Sequence, residues 1–193
     1  MSSAVRAVNI VKRFKRKEAL RGITLEVRQG EVFGLVGPNG AGKTTFLRIV
    51  ATLIKPTSGV LKIMGIDALR SPDSVRRYIG YLPEEADVYA RLSGWENLLF
   101  YARLVSGDER EARAMTELGA EISGLGEALK RKAGTYSRGM RRRLLVARTL
   151  MLRPRLAILD EPTSGLDVFS AMRVREVIAR YVKNTGATVL LSS

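Results

Sequence analysis

Apolar residues recur along this chain in two periods, and their alternation sketches an α/β fold. Val32-Phe33-Gly34-Leu35-Val36 is a short apolar run, as expected of a buried parallel strand. Ile23-Thr24-Leu25-Glu26-Val27 alternates strictly, as a half-exposed strand should. Ala4–Val11, Val60–Met64, Tyr78–Leu82, Leu156–Leu159 and Thr188–Ser192 also read as strands. Helical spacing governs Thr45–Leu53, with Phe46, Leu47, Val50 and Leu53 apolar. It returns over Arg138–Leu152 and Val168–Tyr181, the latter closed by Asn184-Thr185-Gly186. A short helix begins near Ser71-Pro72-Asp73, where proline is tolerated in a first turn.

Between Pro83 and Arg138 the strand pattern disappears. Ser93-Gly94-Trp95-Glu96 is a capping box, with Ser93 as N-cap and Glu96 at the third helical position. Apolar residues follow at Leu98, Leu99, Tyr101, Ala102 and Val105, and again at Ala112, Met115, Leu118 and Ile122. Val88–Lys132 is therefore expected to form a helical insertion on an α/β core. Counting the helix from Arg138, the helical subdomain covers 88–152 of a single domain, 1–193. No internal repeat interrupts this plan.

One stretch lies where strand gives way to helix. Gly37-Pro38-Asn39-Gly40-Ala41-Gly42-Lys43-Thr44-Thr45 has the spacing of a phosphate-binding P-loop. Its four fixed positions should arise by chance in well under about 1% of chains this long. Glycines let the backbone curl so that its amides form a nest for anions at the positive end of a helix. Lys43 is placed to reach the β- and γ-phosphates, and the Thr44 hydroxyl to ligate Mg²⁺.

A second feature complements the first. The apolar strand Leu156-Ala157-Ile158-Leu159 ends in Asp160-Glu161. An Asp there can hold Mg²⁺ beside the P-loop hydroxyl, and Glu161, on the opposite side of the pleat, can accept a proton from an attacking water. Ser137 at the start of the Arg138 helix is a further anion-binding candidate, though serine is also simply a favoured N-cap. Phe14, among lysines and arginines, is either a stacking surface for an adenine ring or a strand-end core aromatic.

Lys and Arg number 33 against 19 Asp and Glu, a formal net charge of +14. Dense basic clusters occur at Lys12–Lys17 and Arg138–Arg143, and neither is interleaved with stacking aromatics. A solvated basic surface near anionic lipid headgroups is preferred over DNA binding. No run approaches the ~18 apolar residues of a membrane span, and the first residues lack a signal peptide's apolar stretch. Cysteine is absent, which suits a reducing cytoplasm.

Taken in order, these motifs resemble the ATPase subunits, or nucleotide-binding domains, of ATP-binding cassette transporters, over essentially the whole chain. Gly37–Thr45 matches that family's Walker A and Leu156–Glu161 its Walker B. Tyr136-Ser137-Arg138-Gly139-Met140 falls where the family has its signature, usually Leu-Ser-Gly-Gly-Gln. Ser164-Gly165-Leu166-Asp167 matches the D-loop, and Phe14 the adenine-stacking aromatic. The resemblance implies an α/β P-loop NTPase with a mostly parallel core sheet, an N-terminal antiparallel β arm and an inserted helical subdomain. It implies ATP and Mg²⁺, with Glu161 as general base and Asp160 as a magnesium-shell ligand. It further implies a head-to-tail dimer, each ATP held by one subunit's P-loop and the other's Ser137 and Gly139, with Asp167 nearby. A transmembrane permease would dock near the Glu84 loop, on the inner face of the cell membrane. A soluble cassette ATPase clamping DNA or ribosomes is the rival reading. It usually carries a long coiled coil or tandem cassettes.

Three departures from the family pattern qualify this picture. Glu84 stands where the family usually has Gln, a carboxylate that can still ligate Mg²⁺ or orient water. With the Ser-x-Gly-Met signature, it resembles the drug, antibiotic and sodium export branch. Arg138 replaces the first signature glycine and adds bulk beside the trans phosphate site. Finally, the family places a γ-phosphate-sensing histidine straight after the strand matching Thr188–Ser193, and this sequence contains no histidine. C-terminal truncation is therefore expected, with impaired hydrolysis and an open sheet edge along Thr188–Ser192.

Overall fold

The computed structural model describes residues 2–15 and 17–193; Arg16, within the basic run Lys12–Lys17, lies outside them, as does Met1. Two four-stranded sheets form the framework. In the antiparallel one, β1 (Ser3–Phe14) pairs with β2 (Lys17–Arg28) on one side and β4 (Ser58–Ile63) on the other, and β5 (Ile66–Asp67) extends β4. The second sheet is wholly parallel. It contains β3 (Val32–Leu35), β6 (Ile79–Leu82), β7 (Leu156–Leu159) and β8 (Thr188–Ser192), in the order β3-β8-β7-β6.

The period-2 pattern of β7 explains the layering. Leu156 and Ile158 enter one core, with α1 (Lys43–Val50) and the inner faces of β1 and β4. Ala157 and Leu159 enter the other, beneath α3 (Gly94–Val105), α5 (Arg138–Leu150) and α6 (Val168–Thr185). A strand buried on both faces reads as continuous apolar residues, and β7 does. The capping box that opens α3 is present in full: Glu96 N–H donates to Ser93 Oγ at 3.1 Å and Ser93 N–H to Glu96 Oε2 at 2.7 Å. Asp108 caps α4 (Glu109–Ser123), which packs on α3 where Gly119 leaves no room for a side chain beside Leu98 and Met151. The short α2 (Pro72–Arg76) has Pro72 in its first turn.

Several expectations change. β1 and β2 are longer than their apolar segments, because ladder hydrogen bonds ignore side-chain polarity and carry the pairing out to Phe14 and Lys17. β3 is an edge strand of its sheet and not a buried one, so Val32 is 46% exposed and Val36, just beyond it, 85%. The open edge expected along Thr188–Ser192 is absent. β8 is interior, with Val189 facing Val32 on one side and Ala157 on the other. Parallel crossovers do not add strands in chain order, so the last strand in sequence need not be last in space.

Candidate nucleotide site

At the C-terminal end of β3 the chain enters the Gly37–Gly42 loop and passes directly into α1, which starts at Lys43, two residues before the apolar period does. Gly42 makes this possible: it sits at φ +95° as the residue before the helix. A Cβ there would come within 2.6 Å of the Ala19 carbonyl oxygen and 2.7 Å of Leu20 Cδ2, so β2 itself excludes any side chain. The loop borders a cavity of about 440 Å³. Pro38, Asn39, Gly40, Ala41, Gly42, Lys43, Thr44 and Thr45 line it together with Phe14, Glu84 and Glu161. Gly37 contributes its carbonyl, which accepts from Lys43 Nζ at 2.6 Å. Phe14 is 46% exposed, so the core alternative for it falls; Lys12 Nζ lies 4.8 Å from its ring centroid.

The acidic pair meets this loop from β7. Asp160 is fully buried, and its Oδ1 accepts from Thr44 Oγ1 at 3.2 Å and from Ser192 Oγ at 2.7 Å. Its Oδ2 is buried without a partner. Glu161 does not continue the pleat: β7 ends at Leu159, and Glu161 takes φ +48°. That turn, and not strand alternation, aims its carboxylate at Lys43 Nζ, 3.2 Å away. Its N–H donates to Ser192 Oγ at 2.8 Å. Ser192 thus joins the site, although its sequence pattern marks only the end of a buried strand. Its signal was positional, since ligands of open parallel sheets bind at the carboxyl ends of strands.

The donor set fits Mg²⁺. An orphaned carboxylate oxygen, a threonine hydroxyl and the nearby Glu84 are hard oxygen donors, and Mg²⁺ is usually held by one or two carboxylates plus substrate phosphates. Among the described residues no group of three or more His, Cys, Asp or Glu side chains forms an all-protein metal cage.

Ser137, Gly139 and Asp167 do not line this cavity. Ser137 Oγ accepts the Met140 N–H at 3.2 Å and caps α5. Gly139 is buried where a Cβ would fall 2.5 Å from Ser170 Oγ. Asp167 caps α6 by accepting from Ser170 N–H at 2.9 Å, and the Ser170 hydrogen bonds hold its carboxyl below the usual value.

The run Arg138–Arg143 is not a freely solvated basic surface, contrary to the expectation from charge. Arg138 donates to Gly165 O at 2.8 Å, Arg141 to Gly134 O at 2.9 Å, and Arg142 to Glu84 O at 3.3 Å. Arg143 reaches the end of α4 at Gly124 O, 3.4 Å away. Burial pushes the Arg142 guanidinium below its ordinary value, opposed by the carboxylates of Glu84, Asp87, Asp160 and Glu161. Arg138 therefore bends toward the D-loop of its own chain.

The profile of the ABC transporter family matches residues 20–164. The chain belongs to the ABC transporter family. Similar sequences include the daunorubicin/doxorubicin resistance ATP-binding protein DrrA of Streptomyces peucetius, 40% identical over 98% of this chain and 57% of that protein. The bacitracin transport ATP-binding protein BcrA of Bacillus licheniformis is 36% identical over 100% of this chain and 62% of its own length. The ABC transporter ATP-binding protein NatA of Bacillus subtilis is 37% identical over 94% of this chain and 76% of its own length. The chain thus spans less than two thirds of DrrA and BcrA.

Solved ABC structures share the fold. That of cbiO1 from Clostridium perfringens, part of the ABC transporter complex cbiONQ, superposes with a TM-score of 0.88 at 23% identity, over 100% of this chain and 79% of that one. The ATP-binding cassette MJ0796, a dimer in a post-hydrolysis state bound to ADP and Pi, gives 0.83 at 25% identity, over 98% of this chain and 87% of that one. The architecture is that of an ABC ATP-binding domain, an α/β P-loop fold.

Proposed function

We propose that the chain binds ATP with Mg²⁺ and hydrolyses it, as the ATP-binding subunit of an ABC exporter. The observation that carries the reading is the convergence of Lys43, Thr44, Asp160 and Glu161 on one cavity beside a glycine loop. In this reading the loop amides and Lys43 hold the β- and γ-phosphates, and Phe14 stacks on the adenine. Thr44, Asp160 and Glu84 hold Mg²⁺, which neutralises phosphate charge when bound. Glu161 accepts the proton of the attacking water.

Ser137, Gly139 and Asp167 lie away from that cavity, which accords with a head-to-tail dimer in which they serve the partner's ATP. The membrane-embedded permease would dock near the Glu84 loop, beside the half-exposed aromatics Tyr89 and Phe100. No helix among the described residues is long and apolar enough to cross a membrane. Relatives named for drug resistance and bacitracin transport favour export as the process served. The rival clamp reading gains no observation among the described residues, whose longest helix, α6, has 18 residues. These 193 residues contain no histidine to touch the γ-phosphate, so a polypeptide limited to them is expected to hydrolyse ATP slowly.

Calorimetry with ATP and Mg²⁺, followed by phosphate release under dimerising conditions, tests the reading. Binding that is lost in Lys43→Ala supports it; equal ATP affinity in both proteins sinks it.

A further inference from the structure

We infer that Ser192 is a positioning residue for hydrolysis, tying the carboxylate of Asp160 and the backbone of Glu161 into one unit. The inference rests on the ATPase reading above and adds to it a residue that none of the recognised motifs contains.

A serine hydroxyl offers one proton and two lone pairs. Here the proton goes to Asp160 Oδ1, 2.7 Å away, and a lone pair takes the Glu161 N–H at 2.8 Å. One hydroxyl thus contacts two consecutive residues with different tasks. Together with Thr44 Oγ1, it fills Asp160 Oδ1 and leaves Oδ2 as the oxygen without a partner. Ser192 therefore selects which carboxylate oxygen remains for a cation.

The second contact bears on Glu161. At φ +48° a glutamate is in a left-handed conformation that side chains rarely adopt, and it persists only where the surroundings hold it. The bond from its N–H to Ser192 is such a hold, directly at the strained residue. Without it the backbone can relax, and the carboxylate that meets Lys43 swings with it.

Topology explains why a β8 residue does this. β8 runs between β3 and β7, with Ser192 level with Leu35 at the mouth of the P-loop and one step beyond the Leu191–Leu159 pair. Ser192 and Asp160 are both fully buried. The interior placement of β8 delivers the hydroxyl to the point where the P-loop and the acidic strand converge. An aliphatic residue would have satisfied the strand pattern equally well, so packing alone does not call for a hydroxyl here.

The test compares Ser192→Ala and Ser192→Thr with the parent chain, using ATP and Mg²⁺. In Ser192→Ala, kcat should fall by about 10- to 100-fold, the scale of a small misplacement of reacting groups. The ATP dissociation constant should stay within about twofold, because the P-loop contacts are untouched. Ser192→Thr keeps the hydroxyl and should recover most of the turnover. Hydrogen exchange at the Glu161 amide, read by NMR, should lose protection in the alanine variant alone. Unchanged kcat, or a fall in kcat that only tracks a lowered melting temperature and a weakened ATP affinity, overturns the inference. Should the threonine methyl not be accommodated, the split between kcat and affinity in Ser192→Ala decides. A parent chain that binds but never hydrolyses ATP would sink the ATPase reading instead. Glu161 amide protection that survives Ser192→Ala would still overturn the role given to Ser192, and its loss would still support it.

Discussion

Lys43 Nζ lies 3.2 Å from the Glu161 carboxylate and 2.6 Å from the Gly37 carbonyl, so one cation bridges the phosphate loop and the end of the acidic strand. Both side chains are mostly shielded, with 12% and 16% of their surface exposed. Pairs of this kind contribute little net stability, because desolvation offsets their attraction. In the proposed ATPase reading, phosphate oxygens drawn to Lys43 would compete with Glu161, so binding would free the general base.

Lys43→Ala should abolish ATP binding and leave the fold intact, since Lys43 contributes no large apolar surface to either core. Circular dichroism checks the fold and calorimetry the binding. Affinity near that of the parent would remove the P-loop assignment.

Glu161→Gln separates binding from chemistry. The amide keeps the size of the carboxylate and cannot accept the proton. Turnover should fall by ~10²–10⁴-fold while ATP still binds. Light scattering with ATP should then find a longer-lived dimer than the parent forms. Rapid phosphate release by this variant would take the general-base role away from Glu161.

Much of this was legible in the sequence where the signal is local. The capping box at Ser93 and Glu96, the serine N-cap of α5 and the loop before Lys43 depend on neighbours within a few residues, and they form as read. What the sequence hid is relational. The interior place of β8 follows from how crossovers thread the sheet, and only that placement brings Ser192 to Asp160 across 32 positions. Likewise, Arg138–Arg143 looked like a solvated charge run because the carbonyls that receive it, at Glu84, Gly124, Gly134 and Gly165, come from separate segments. The direction of Glu161 is hidden for a related reason: it lies beyond the end of β7, and its left-handed φ is held by a contact from β8.

The glycines of the loop are not equivalent. Gly42→Ala combines a left-handed φ of +95° with a Cβ 2.6 Å from the Ala19 carbonyl, so β2 or the loop must move. Gly40→Ala at φ +81° meets nothing within 4 Å and bears backbone strain alone, a cost of about 1–3 kcal/mol. Gly42→Ala should therefore lower the melting temperature more and lose at least tenfold in ATP affinity, the equivalent of ~1.4 kcal/mol. Thermal melts and calorimetry on both variants check this. Equal effects would mean that the contact with β2 does not shape the loop.

The helix caps give the fold an acid limit whose sign follows from the hydrogen bonds. Glu96 is held below its ordinary 4.5 by the Ser93 backbone N–H, and then by the Ser93 side chain. Asp167 is held below 3.8 by its hydrogen bonds to Ser170. In each case the folded state favours the ionised form. The stabilisation is therefore fully present above the ordinary carboxylate value and is lost as pH falls through the lowered one. Both groups are solvent-exposed, so the effect is modest and adds to, without replacing, core packing. Glu96→Gln keeps an acceptor for the Ser93 N–H and removes the charge that favours a helix N-terminus. Its melting temperature should lie below that of the parent at neutral pH, and the gap should close as pH drops well below 4.5. Ser93→Ala removes the hydroxyl that accepts the Glu96 N–H, so a gap should persist in acid for that variant. A Glu96→Gln gap that stayed constant from neutral to acid pH would show that the charge of Glu96 does not support α3.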